Sequence, residues 1–188
     1  MRKILSIALI GGSLLFFGCS KSPSTPECQI DGAKAPSWVC DGGASMKGGI
    51  FAVGSAPKSP LGITFQREEA MAHARDEIAR EIKLKVKNMV KSYMSSTGMG
   101  DSQTAERVVT SVSKQVTSLA LQGTKLIKTW TSPNGTMYVL VGVDKNIKNY
   151  VKSAVATTFR NDEALWQEFK AKKAQEELER AVDKEFGN

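Results

Sequence analysis

Cys19, Cys28 and Cys40 are the three thiols of the chain, and His73 is its one imidazole. A nucleophile at neutral pH needs a base within hydrogen-bond reach. A single histidine, placed two positions off the apolar stripe of a long helical segment, is a thin supply of bases and reads as a solvated helix residue. The carboxylate pairs Glu68-Glu69 and Glu176-Glu177 are adjacent in sequence. Neighbours on a helix do not share a face, so these are solubilising charge and not acid–base couples. No catalytic residue is expected, and neither is a metal centre: there is no CxxC, and the histidine is remote from the thiols. The glycines of Asp41-Gly42-Gly43 and Gly48-Gly49 are not followed by the lysine and serine of a phosphate-binding loop and read as a plain loop. Lys83, Lys87 and Lys91 recur every four residues as a basic ridge, either a wet surface or a contact for an anionic envelope component.

The environment of Cys19 is more specific. Met1-Arg2-Lys3 is followed by an apolar run from Ile4 to Phe17 and then Gly18. As a helix the run would reach roughly 21 Å, short of a hydrocarbon core of about 30 Å. It reads as a secretory signal and not as a membrane span. The stretch resembles a bacterial lipoprotein lipobox. Gly18 fits the position before the cysteine, while Phe16 and Phe17 are bulkier than the usual residues. The resemblance implies cleavage after residue 18 and acylation of Cys19 by a diacylglycerol and an N-acyl chain such as palmitate, with no other cofactor. Ser20 is not the aspartate that retains such proteins at the inner membrane, so the resemblance further implies the outer membrane, on its periplasmic or surface face. In an exported chain Cys28 and Cys40 can form one disulfide, worth roughly 3 kcal/mol for so short a loop; free thiols are the alternative.

The formal charge is +7 over 188 residues. Loss of Arg2 and Lys3 with the signal leaves a basic body and, from residue 160 onward, a net acidic tail. Nucleic acid is not an expected partner of an exported protein; lipid phosphates or acidic proteins are.

The elements that must position these groups follow from periodicity. Residues 19–36, with Ser, Pro, Gly and Lys and no period, read as a flexible tether. Trp38 reads as an anchor where folding begins. Residues 50–56 are a short apolar strand whose Gly54 marks a bulge or a close backbone approach. Residues 64–94 carry Met71, Arg75, Ile78, Ile82, Val86, Met89 and Tyr93 at helical spacing, widened by Ala72, Ala79 and Val90. Asp101 or Ser102 caps a second helix whose face is Ala105, Val108, Val112, Val116 and Leu119. Residues 123–131 and 137–143 alternate with period two around Asn134-Gly135, a hairpin signal. In the first run Leu126, Lys128 and Trp130 would share one face. Asp144 would cap a further helix with Ile147, Val151, Val155 and Phe159. Beyond residue 160, Trp166, Phe169, Leu178, Val182 and Phe186 form a narrow stripe on one amphipathic helix. It is too apolar to stand bare and is expected to dock on its own body, a neighbouring subunit or a partner. The fold class is α+β: a small three-stranded antiparallel sheet packed against long helices in the order β-α-α-β-β-α, with an extended C-terminal helix. The domain is 37–160 and the tail 161–188.

Pro36 and Trp38, Ala52-Val53-Gly54-Ser55-Ala56, the helix start from Ala70 to Ile82, Trp130, Asn134-Gly135 and Tyr138-Val139-Leu140-Val141 together resemble the 20-kilodalton outer-membrane lipoprotein family of Gram-negative bacteria, which includes surface antigens and flagellar basal-disk lipoproteins. The resemblance covers residues 36–150. It implies a small α+β domain without known enzymatic activity, acting as an envelope structural or assembly component or an antigen. Its partners would be outer-membrane lipid through the anchor and a second copy or an envelope or flagellar protein. An envelope enzyme and a peptidoglycan-binding lipoprotein are the competing readings. No murein-binding motif is present in the sequence.

Overall fold

A computed structural model describes residues 27–144 and 146–187. Cys19, its signal and most of the expected tether lie outside the described residues. The elements are β1 (Gln29–Ile30), β2 (Ala33–Lys34), α1 (Ser37–Cys40), β3 (Gly49–Ala56), α2 (Ile63–Thr97), α3 (Ser102–Gln122), β4 (Lys125–Thr131), β5 (Met137–Asp144), α4 (Ile147–Arg160), α5 (Glu163–Phe169) and α6 (Lys172–Phe186).

β3, β5 and β4 form the expected antiparallel sheet, with β5 in the centre. The hairpin turns at Gly135, whose φ of 89° suits a residue without a Cβ. The Asn134 side chain accepts from Ser132 Oγ at 2.7 Å and from Thr136 N at 3.1 Å. Ile50, Ala52, Gly54 and Ala56 of β3 pair with Val143, Val141, Val139 and Met137 of β5, and this face is buried under α2. The register of β3 is unbroken, so Gly54 marks a close approach of helix backbone and not a bulge. The alternation expected in β4 does not hold. A β-bulge between Leu126 and Lys128 pairs Leu126 with Val141 but Lys128 with Leu140. The extra residue inverts the parity, so Lys128 and Trp130 look away from the helices while Leu126 looks toward them.

The stripe of α2 is buried along its length, from Gln66 to Met94. Ala70 and Ala74 take the places on the buried face that Ala72 and Ala79 were expected to fill. No part of the helix projects, because β3, β5, α3 and α6 all pack on it in turn. Asp101 caps α3, accepting from Thr104 N at 2.7 Å. Within α3, Ala120 is buried where Leu119 was expected, and Leu119 is exposed. Asp144 ends β5; the N-cap of α4 is Asn146. Gln66, which the periodicity passes over, is a buried clamp. Its side-chain amide donates to Ala56 O at 3.1 Å and to Gly135 O at 2.8 Å, tying the helix start to a strand end and to the hairpin tip.

The tail departs most from expectation. It is two helices, broken at Lys170-Ala171, with Asp162 capping the first by accepting from Leu165 N at 3.2 Å. Phe169, Leu178, Val182 and Phe186 are buried, and Trp166 packs against them, in one core with Ile82, Val86, Val151 and Phe159. The stripe is therefore covered by the chain's own body and is not an oligomer or partner surface. Charge follows the expected complementarity: Lys148 pairs with Asp183 at 2.9 Å, Lys152 pairs with Glu179, and Lys85 Nζ donates to Glu185 O at 2.9 Å. Lys172, just past the break, meets Glu176 at 3.7 Å.

Tyr93 stacks on Phe159 with ring centroids 6.0 Å apart, and its buried hydroxyl has no partner among the described residues. Burial, then the charges of Glu168 and Glu177, push the phenol up to about 12. Because the folded value lies above the unfolded one, this group's contribution is fully present below about pH 10 and is lost as pH rises toward 12. Tyr93→Phe is expected to flatten the alkaline limb of a stability–pH profile and to cost little at neutral pH, since it removes an unsatisfied polar atom. Identical alkaline limbs would contradict this.

Candidate interaction surface

The face of the sheet away from the helices carries Phe51, Val53 and Ser55 on β3, Tyr138 and Leu140 on β5, and Lys128 and Trp130 on β4. It is half covered by the N-terminal segment. Asp31 and Gly32 both have positive φ, 54° and 77°, the signature of a tight hairpin turn, and β1 pairs with β2 through them. The segment read as a tether thus contains a hairpin, which the Asp-Gly pair signalled. Cys28 and Cys40 are joined by a disulfide, Cα to Cα 6.2 Å, which fastens this hairpin to α1. α1 then buries Trp38, and the following turn places Gly43 against Leu140 and Phe51.

Reduction of this bond is expected to lower stability by roughly 3 kcal/mol, the loop-closure entropy of so short a loop. Urea denaturation with and without reductant measures it. Coincident midpoints would show that the staple carries no stability.

The loop from Asp41 to Gly49 overhangs a cleft of about 840 Å³, bounded also by Glu81 and Lys85 of α2, Lys148 of α4 and Phe186 of α6. Burial raises the Glu81 carboxyl above its usual range against the opposing pull of Lys85, 3.8 Å away. The ammonium of Lys85 lies 6.0 Å from the centroid of the Phe186 ring and donates to Glu185 O; Lys148 is paired with Asp183. The charges of the cleft hold the end of α6 in place.

His73 is exposed, and its Nδ1–H donates to Ser55 O at 2.8 Å. It ties α2 to β3. The lysine ridge is divided. Lys91 pairs with Glu106 of α3 at 2.6 Å, and its hydrogen bond, then its charge, hold that carboxyl below its usual range. Lys83 and Lys87 are exposed. Among the described residues no three His, Cys, Asp or Glu side chains gather as metal ligands would.

What the body leaves open is β4. It is paired on one side only and is exposed along nearly its whole length. Leu126 and Ile127, at its bulge, are exposed apolar side chains, with Lys125 and Lys128 beside them. Sequence periodicity missed this surface because a bulge leaves no signature in an alternating run.

The profile of the LPP20 lipoprotein family matches residues 36–144. The chain belongs to the LPP20 lipoprotein family. No curated protein matches it. The LPP20 region begins at Pro36, the N-cap of α1, and ends at Asp144, the last residue of β5. It holds α1, the three-stranded sheet, α2 and α3. The three helices that complete the core, and the Cys28 half of the disulfide, lie outside it. No helix among the described residues is long and apolar enough to cross a membrane, which fits an LPP20 lipoprotein held at a membrane by its lipid.

Proposed function

We propose that this LPP20 lipoprotein is a non-enzymatic component of the outer membrane, anchored by acyl chains on Cys19, that works through protein contacts as a structural or assembly part of the envelope. The observation that carries the reading is the open edge of β4. An unpaired strand offers a row of backbone donors and acceptors to an added strand. Leu126 and Ile127 supply apolar contact there, and Lys125 and Lys128 restrict which partner can approach. This reading puts the partner contact on β4, since the C-terminal stripe is buried in the chain's own core. A flagellar basal disk and an exposed antigen, the two settings that the family resemblance implies, differ in what β4 would meet: copies of the chain or other envelope proteins in the first, host molecules in the second.

Crosslinking from position 127 in intact envelopes tests this. The expected result is capture of a protein, identified by mass as a second copy or another envelope protein, and its loss when Leu126→Lys is added to the same crosslinking chain. An edge that crosslinks to nothing would reject the contact. In parallel, Cys19→Ala is expected to abolish lipidation, so that the chain washes out of membranes with salt or persists as an uncleaved precursor. A variant processed and retained like the wild type would remove the anchor from the reading.

A further inference from the structure

At the other end of the sheet from the β4 bulge, the end of the β3–α2 connection and the first turn of α2 present Leu61, Ile63 and Phe65, which are 70%, 62% and 46% exposed. Three large apolar side chains so close in sequence are a costly thing to leave in water. They are also held rigidly. Leu61 N donates to Ser59 Oγ at 3.1 Å and Gly62 N to Ser59 O at 3.2 Å, while the two Gln66 hydrogen bonds fix the first turn of α2 to Ala56 and Gly135. The register brings a second feature to the same end: Trp130 pairs with Tyr138, Ser55 with Tyr138 and Ala56 with Met137. The Trp130 and Tyr138 rings lie 5.5 Å apart and are half-buried. Lys58, packed by its stem near Gly135, and Arg67 flank the apolar tip and are exposed; Glu68 and Glu69 follow in the helix.

We propose that this end of the molecule lies against the lipid surface in which the protein is anchored. The combination is that of an interfacial contact: apolar tips that enter the headgroup–acyl boundary, a tryptophan and a tyrosine with apolar bodies and polar edges at its margin, and cations placed for lipid phosphates. The length of chain before the described body limits where that body can be. Eight peptide steps separate Cys19 from Glu27, a reach of at most about 28 Å. The eight residues of β3 span roughly 26 Å. The membrane is thus never farther from the body than about the length of its own sheet, and a modest affinity of the tip suffices to orient it. The connection 57–62, the first turn of α2 and the hairpin tip then face lipid, and the β4 bulge at the opposite end faces away from it. The inference rests on the anchor at Cys19.

The test uses the full acylated chain in vesicles of phosphatidylethanolamine and phosphatidylglycerol, with part of the lipid brominated high in its acyl chains. Phe65→Trp places a fluorescent reporter at the tip, and Leu84→Trp places one at an exposed position farther along α2. Both chains should co-float with the vesicles. The added emission of Phe65→Trp is expected to fall by more than half on bromination, and that of Leu84→Trp to stay unchanged. Co-flotation with equal emission in brominated and plain vesicles would overturn the lipid contact while leaving the anchor intact. Failure to co-float would remove the anchor and this contact together. Capture of a protein by a crosslinker at position 61, with Phe65→Trp unquenched, would assign the tip to a protein and overturn the proposal.

Discussion

Deletion of residues 161–188 is expected to unfold the domain and not merely to trim it. The segment places Leu165, Phe169, Leu178, Val182 and Phe186 in the core. Each such side chain contributes about 1.5–3 kcal/mol when fully buried, so their joint loss is comparable with the roughly 5–15 kcal/mol that holds a domain together. The deletion also uncovers what they rest on. α6 packs on both α2 and α4, so removing it opens the faces of those two helices that turn toward it, within the core that holds Ile82, Val86, Val151 and Phe159. Phe169→Ala isolates one contact. Its ring meets Phe159 edge-on, centroids 5.2 Å apart, and the substitution should cost about 3–5 kcal/mol. Thermal melts followed by near-ultraviolet circular dichroism read both. A truncated chain that keeps a cooperative transition within a few degrees of full length would show that the tail is an appendage and that the LPP20 region closes its core without it.

The sequence left the cover of this stripe open between its own body, a neighbouring subunit and a partner, for a reason that applies beyond the tail. A stripe such as Leu178, Val182 and Phe186 records that one face of a helix is apolar; it does not record what covers the face. The α2 stripe and the Asn134-Gly135 hairpin were legible because both are local: one is a spacing within a helix, the other a backbone requirement at a turn. The same holds for the Asp101 cap. The break at Lys170-Ala171 carries neither glycine nor proline, so charge and spacing read through it as one helix. The bulge at Ile127 is decided by how β4 must register on β5, which no pattern within β4 contains. Gln66 looks like any polar residue near a helix start until Ala56 O and Gly135 O, far apart in sequence, are brought to its amide. The Asp31-Gly32 turn is local too, but two-residue strands on either side of it carry no period that sets them apart from a tether. The candidate surfaces share this character. β4 is open because β3 and not another strand took the far side of β5, and the Leu61–Phe65 tip is exposed because Gln66 aims it outward.

Gly54→Val is expected to be the most damaging single substitution in the sheet. Gly54 sits in the centre of β3, opposite Val139, where α2 runs directly over the strand. A Cβ built there would fall inside contact distance of Ala70 O and 2.5 Å from Ala74 N. Both are backbone atoms of a helix that is buried on this side, and they cannot turn aside as a side-chain end would. The two alanines beneath, Ala70 and Ala74, are fully buried and let the helix approach this closely; the glycine completes the fit. To admit a Val side chain α2 must lift from the sheet, loosening Ile78 and Ile82 farther along it and straining the Gln66 clamp at its start. Overpacking costs typically 1–3 kcal/mol when side chains can adjust, and a backbone obstacle puts this site at or above about 3 kcal/mol. Gly54→Ala should already show much of the effect. The comparison is Gly123→Ala at the end of α3, where φ is −87° and the nearest atom to a new Cβ is 3.5 Å away. It should be neutral or stabilising by about 0.4–1 kcal/mol, because it restricts only the unfolded chain. Urea midpoints of the three variants decide the matter: a Gly54→Ala chain as stable as Gly123→Ala would mean that the helix does not lie on the strand as closely as this packing requires.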